Sequence, residues 1–139
     1  MRSKIRSAVL AGAFAAGSVV IGAPSASANT WCDSSGHAAG GFPTVRCTSL
    51  SNGILTHGQR EVYPYTYWDT TYYKSGGSTV NVRLGYIKQG VTTYSSYFNI
   101  SSGQTVKKTW SKFGDHMCYG TTGVLNYSGG TFQTPVTGC

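Results

Sequence analysis

The chain has 139 residues, with 11 Lys and Arg against 4 Asp and Glu, a length that fits one domain. Charged residues make up 11% of it and hydrophobic residues 40%, which excludes the low-hydrophobicity, high-charge signature of a disordered chain and predicts a packed core. No recognisable catalytic or ligand motif stands out, and no cofactor is expected.

The chain begins with a segment that does not belong to a fold. Arg2, Lys4 and Arg6 form a positive stretch, Ala8 to Ala23 a run of small apolar residues, and Pro24 precedes Ala26-Ser27-Ala28. This pattern predicts a secretory signal peptide over residues 1–28, cleaved after Ala28. The apolar run falls short of the roughly 20 residues that cross a bilayer, so no membrane partner is expected. The Ala- and Gly-rich leader resembles those of actinobacterial secreted proteins. Asn29 to Cys139 then form the mature chain, predicted as one domain. Three basic residues leave with the leader, so the net charge falls from +7 to +4. That mild excess does not call for a nucleic-acid partner; it suits an acidic protein or an anionic wall polymer.

Asn29 to Phe42, rich in Gly and Ala, reads as an irregular arm pinned by Cys32. All four cysteines, Cys32, Cys47, Cys118 and Cys139, survive cleavage, and an even number in a small secreted chain reads as a disulfide framework. The pairing Cys32–Cys47 and Cys118–Cys139 is favoured, because each bridge closes a short Gly-containing segment at one end and leaves the centre uncrossed. Each loop contributes roughly 3 kcal/mol by the chain-entropy account.

Helical periodicity is nearly absent from the rest, and Thr, Val, Tyr and Ser dominate between glycine-containing turns, which predicts an all-β protein. Strands are expected over Thr44–Leu50, Glu61–Trp68, Thr79–Lys88, Val91–Ile100, Thr105–Trp110, Met117–Tyr119, Val124–Tyr127 and Thr131–Val136. The clearest is Thr79–Lys88, where Val80, Val82, Leu84 and Tyr86 alternate with Asn81, Arg83 and Gly85. Lys88-Gln89-Gly90 turns it into its antiparallel neighbour. Seven or eight short strands fit a small antiparallel β-sandwich with two disulfides, with a small barrel as the alternative.

Catalytic chemistry finds little support. Sugar hydrolysis commonly uses two carboxylates, and Asp33, Glu61, Asp69 and Asp115 lie in no recognisable motif. His37, His57 and His116 could act as bases, but no Gly-x-Ser-x-Gly elbow accompanies them. The strongest enzyme fragment is Thr56-His57-Gly58-Gln59-Arg60-Glu61: with His116 it offers a base, an acid and a cation, the set a small secreted ribonuclease needs. His116-Met117-Cys118 has copper-like donors, but a disulfide at Cys118 removes the thiolate, so no metal is expected.

The most informative feature is aromatic. Tyr63, Tyr65 and Tyr67 alternate on one expected strand face, roughly 7 Å apart, and Trp68, Tyr72 and Tyr73 follow. Facing solvent, that row is a stacking platform for sugars or an anchor for a protein; facing the other sheet, it is core, and Val62, Pro64, Thr66 and Trp68 are exposed. Ten Tyr exceed what a small sandwich core absorbs, so Tyr63, Tyr65, Tyr67, Trp68, Tyr72 and Tyr73 are the candidate binding residues. Pro64, lacking an N–H, points to an edge strand open to strand addition. The sequence therefore predicts a secreted, non-enzymatic binding protein that engages a protein partner, as an adaptor or inhibitor in a secreted toxin or antagonism system. A carbohydrate or cell-wall module is the second reading and a small ribonuclease the third.

Overall fold

Residues 31–38 and 44–139 are described in a computed structural model. The leader expected over 1–28 lies outside the described residues, as do residues 29–30 and 39–43.

Alternation of side chains dictates the strands. In β3, Tyr65–Lys74, the residues Thr66, Trp68, Thr70, Tyr72 and Lys74 are all buried, while Tyr65, Tyr67, Asp69, Thr71 and Tyr73 face outward. The period of two lets one strand cover a core and present a surface at once. β3 is flanked by β2, Gly53–Val62, and β7, Thr105–Phe113, with β1, Val45–Leu50, on the far side of β2. The second sheet is built on β4, Val80–Lys88, and β8, Thr121–Tyr127, with β9, Gly130–Gln133, beside β8. Along the other side of β4 lie β5, Val91–Tyr94, and β6, Phe98–Ile100, end to end. Every pairing is antiparallel. The chain crosses to the second sheet after β3, returns as β7 beside β3, and crosses again to β8.

The expected sandwich is thus formed, as two separate sheets of four and five strands and not as a closed barrel. Both disulfides have the expected pairing, Cys32–Cys47 and Cys118–Cys139. The described part of the arm is folded on itself by a bridge from Cys32 to Ala38 and pinned to β1 by the first disulfide and a bridge from His37 to Arg46. No helix among the described residues is long and apolar enough to cross a membrane.

Three strand expectations are corrected. Glu61–Trp68 is not one strand: Tyr63-Pro64 is the turn of the β2–β3 hairpin, closed by the Val62–Tyr65 pair, with a cis bond before Pro64. β3 is therefore central, paired on both sides, and Pro64 avoids the ladder by sitting in the turn. Val91–Ile100 breaks in two where Ser95 leaves the ladder: its N–H donates to the Leu84 carbonyl, and its Oγ accepts from the Leu84 N–H. Met117–Tyr119 is a turn. The expected turn at Lys88-Gln89-Gly90 is present, with φ of 49° at Gln89 and 78° at Gly90, the double left-handed geometry that fits a two-residue hairpin to the twist of its strands.

Apolar packing centres on Leu55, Tyr72, Val82, Leu84, Ile100 and Leu125. Beside it, Trp68 stacks on Tyr86 at 5.1 Å and 11°, and Trp110 leans on the same ring at 5.2 Å. Much of the rest of the interior is polar. His57, fully buried, reaches Thr70 Oγ1 and Thr121 Oγ1 at 2.9 Å each. Thr70 Oγ1 spends its single proton on the Gly85 carbonyl, so Nδ1 of His57 is the donor to Thr70, while the Thr121 hydroxyl lies 2.9 Å from Nε2 and 3.3 Å from the Gln59 Oε1. Gln59 completes the layer by donating to the Met117 carbonyl. Gly123 of β8 makes room for this histidine, since a Cβ there would lie 2.4 Å from His57 Cβ.

Candidate binding surface

The hairpin turn carries Tyr63 to the most exposed position of any large hydrophobic residue described, 89% accessible. Tyr65 and Tyr67 follow on the outer face of β3, their ring centroids 6.3 Å apart and their planes tilted by 45°. The register sets Phe113 of β7 directly opposite Tyr65, with centroids 5.6 Å apart and planes at 78°. On the other side Val62 pairs with Tyr65, and both Val62 and Phe113 are exposed. Val62, Tyr63, Tyr65 and Phe113 therefore make one aromatic and apolar patch at this end of the outer face.

Its inner border is charged. Arg60, paired with Tyr67 across the ladder, lays its guanidinium over that ring at 4.3 Å and bonds the Asp69 carboxylate at 3.3 Å. Asp69 also accepts from Thr109 Oγ1 at 2.5 Å, so the arginine is held flat against the aromatic ring. A groove of about 590 Å3 runs alongside, lined by Val45, Arg60, Glu61, Asp69, Thr71 and Met117. Lys107, Lys108 and Lys112 follow along β7, the edge of this sheet.

The six expected binding residues divide by face. Tyr63, Tyr65 and Tyr67 are together, although Tyr63 sits in the turn and the row on the strand is Tyr65 and Tyr67 alone. Tyr73 is outward at the far end of β3. Trp68 and Tyr72 are corrected as surface residues: Trp68 is 1% exposed within the aromatic stack, and Tyr72 is buried with its hydroxyl donating to the Asn52 carbonyl at 3.2 Å. Both have the inward parity of β3. Sequence reasoning missed Phe113, because the strand expected to end at Trp110 runs three residues further; the outward alternation of Thr109, Ser111 and Phe113 is the signal that would have extended it.

Of the residues in the ribonuclease reading, Arg60 and Glu61 line the groove, which also takes in Met117, the neighbour of His116. His57 is inside the core, where burial pushes its pKa down to about 4. Arg60 is engaged by Asp69 and Tyr67, and Glu61, its neighbour on β2, has opposite parity. His116 follows Asp115, to which its N–H donates at 2.8 Å. Asp115 is itself nearly enclosed. Burial alone would raise its carboxyl, but the Lys88 ammonium, the His116 N–H and Lys112 at 3.9 Å together hold it below the usual carboxylate value. Lys88 also lies over the Trp68 ring at 4.9 Å and the Tyr119 ring at 5.2 Å, so this ion pair closes the end of the aromatic stack. Among the described residues no three His, Cys, Asp or Glu side chains gather as metal ligands. Compared with protein-family models, with curated proteins and with solved structures, the chain matches none.

Proposed function

We propose that this chain is a secreted binding protein that acts by contact and not by catalysis. The outer patch of Val62, Tyr63, Tyr65 and Phe113, bordered by Arg60 on Tyr67, engages an acidic protein partner, as an adaptor or inhibitor in a secreted toxin or antagonism system. The observation that carries this reading is the exposure of Tyr63 and Phe113, 89% and 67%, next to each other's neighbours on a rigid sheet. Contiguous exposed apolar surface of this kind marks interaction sites, and aromatic residues with Arg are enriched at protein interfaces. The ring planes favour a protein over a polysaccharide: tilts of 45° and 78° leave no common plane on which successive sugar rings would stack. Charge points to an acidic partner, because Arg60 borders the patch, Lys107 shares the outer face of the sheet, and the chain has 11 Lys and Arg against 4 Asp and Glu.

A cell-wall or other polysaccharide module is the second reading, favoured by the groove beside Arg60, whose lining includes Glu61, Asp69 and Thr71 as groups for sugar hydroxyls. The test is a pull-down with oxidised Asn29–Cys139 against culture supernatant and washed cell walls of the producing organism, read by mass spectrometry. A Tyr63→Ser, Tyr65→Ala, Phe113→Ala variant serves as control. The expected result is a stoichiometric acidic secreted protein bound by the native chain and lost with the variant. Retention on walls alone supports the polysaccharide reading, and equal capture by the variant overturns the surface assignment.

A further inference from the structure

At the end of the sandwich away from the hairpin, a lysine is buried without a counterion. Lys74 is the last residue of β3, and its parity turns it inward, leaving it 2% exposed. Its ammonium donates to the Gly76 carbonyl, one bond for a group with three donors. The chain has four side-chain carboxylates, all among the described residues, and each is elsewhere. Asp69 holds Arg60 and Thr109, and Asp115 holds Lys88 and Lys112. Asp33 accepts from Ser35 and His37 in the arm, and Glu61 is exposed near the hairpin end of β2. No carboxylate of the chain lies within ion-pairing distance of Lys74 among the described residues.

The same lysine is part of the wall of a cavity of about 110 Å3 opening between the two sheets. Its other walls are apolar, made by Leu50, Val82, Leu125, Tyr127 and Phe132, with the last two rings stacked at 5.9 Å and 6°. Ser51 and Asn52 of the β1–β2 turn complete its polar side, and the Asn52 amide and the Lys74 ammonium both flank Gly77. A buried charge is stable when it is paired, and a mostly apolar pocket with a few convergent polar groups is the usual form of a small-molecule site. A void of about 150 Å3 takes a benzene ring, so this one accepts an apolar body of about four to six carbons.

We propose that the Lys74 cavity is a binding site for a small amphipathic carboxylate, its hydrocarbon part between the sheets and its carboxylate on the Lys74 ammonium and the Asn52 amide. The site supplies the one thing the chain itself does not bring to Lys74, a negative charge. It lies at the opposite end of β3 from Tyr65 and stands independently of the protein-binding patch.

The test is a titration of the oxidised protein with hexanoate and, separately, hexanol, followed by amide chemical shifts. Saturable shifts at Leu50, Lys74, Val82 and Leu125 are expected with both. Hexanoate should bind at least about tenfold more tightly, because only it meets the ammonium. Lys74→Met should keep hexanol binding and abolish the preference. Val80→Phe, which narrows the cavity from its rim, should weaken both ligands. Equal affinity for hexanoate and hexanol in the native chain, shifts confined to other residues, or no saturable shift would each overturn the assignment. The native-chain comparison decides the matter even where Lys74→Met does not fold.

Discussion

Nε2 of His57 in one sheet meets Oγ1 of Thr121 in the other at 2.9 Å, and this contact is a polar tie across the middle of the sandwich. Burial disfavours the charged imidazole and pushes its pKa down to about 4 against 6.5 in the open chain. Below pH 6.5 the unfolded chain takes up a proton that the folded one refuses, so stability falls as the pH drops from 6.5 to 4 and this contribution levels off below. The loss amounts to about 3 kcal/mol. Urea midpoints measured across that window should show it, and His57→Gln should flatten it. Asp115, whose carboxyl is held below its usual 3.8, adds a further loss in more acid solution, as the ion pair with Lys88 is protonated away.

The two faces of β3 should respond to mutation in opposite ways. Trp68→Ala empties the stack with Tyr86 and should cost about 3–5 kcal/mol. Tyr65→Ala, one strand position outside the core, should cost less than about 1 kcal/mol while removing partner binding. Denaturant unfolding of the two variants separates them; similar losses would mean that Tyr65 packs as core.

Gly123→Ala should destabilise the sandwich by about 1–3 kcal/mol, the usual range for overpacking, because the new methyl meets the His57 side chain. The cost should shrink in a His57→Gly background, which removes the Cβ that the new methyl would meet at 2.4 Å. A double-mutant cycle measures that coupling, and additive effects would place the strain elsewhere.

Replacing Cys118 and Cys139 together by Ser should lower stability by about 3 kcal/mol, through the added freedom of the unfolded segment between them. The native pairing Thr121 to Thr137 should survive, since it is made by backbone hydrogen bonds of 2.8 and 2.9 Å. Amide exchange at Thr121 and Thr137 in the variant tests this.

Where alternation was apolar against polar, the sequence was readable: β1, β4 and most of β7 and β8 lie where the pattern puts them, and so do both disulfides. β2 was illegible because its inward face is Leu55, His57 and Gln59. Two of these three are polar, so a buried strand looked like a turn carrying catalytic residues; the hydrogen bonds that make them acceptable inside come from Thr70, Thr121 and Met117, far along the chain. The alternation of the tyrosine row was legible, but which of its faces is outward was not. Nothing local says whether Tyr65 or Trp68 faces the core, and that is decided by Tyr86 and Trp110 on other strands. Phe113 needed the β3–β7 register, and Lys74 needed the positions of all four carboxylates, both of which exist only in three dimensions.

The interruption of the ladder at Ser95 also governs how one copy meets another. A long unbroken strand edge is a template on which a second molecule can continue the sheet, the first step toward fibrous aggregates. In the second sheet one edge is cut into β5 and β6, with the Ser95 hydroxyl taking a hydrogen bond in place of a peptide carbonyl, and the other edge, β9, is only four residues long. The long edge of the first sheet, β7, bears Lys107, Lys108 and Lys112, which repel an identical edge while remaining attractive to an acidic one. The fold thus discourages its own polymerisation at the strands while leaving its aromatic face bare.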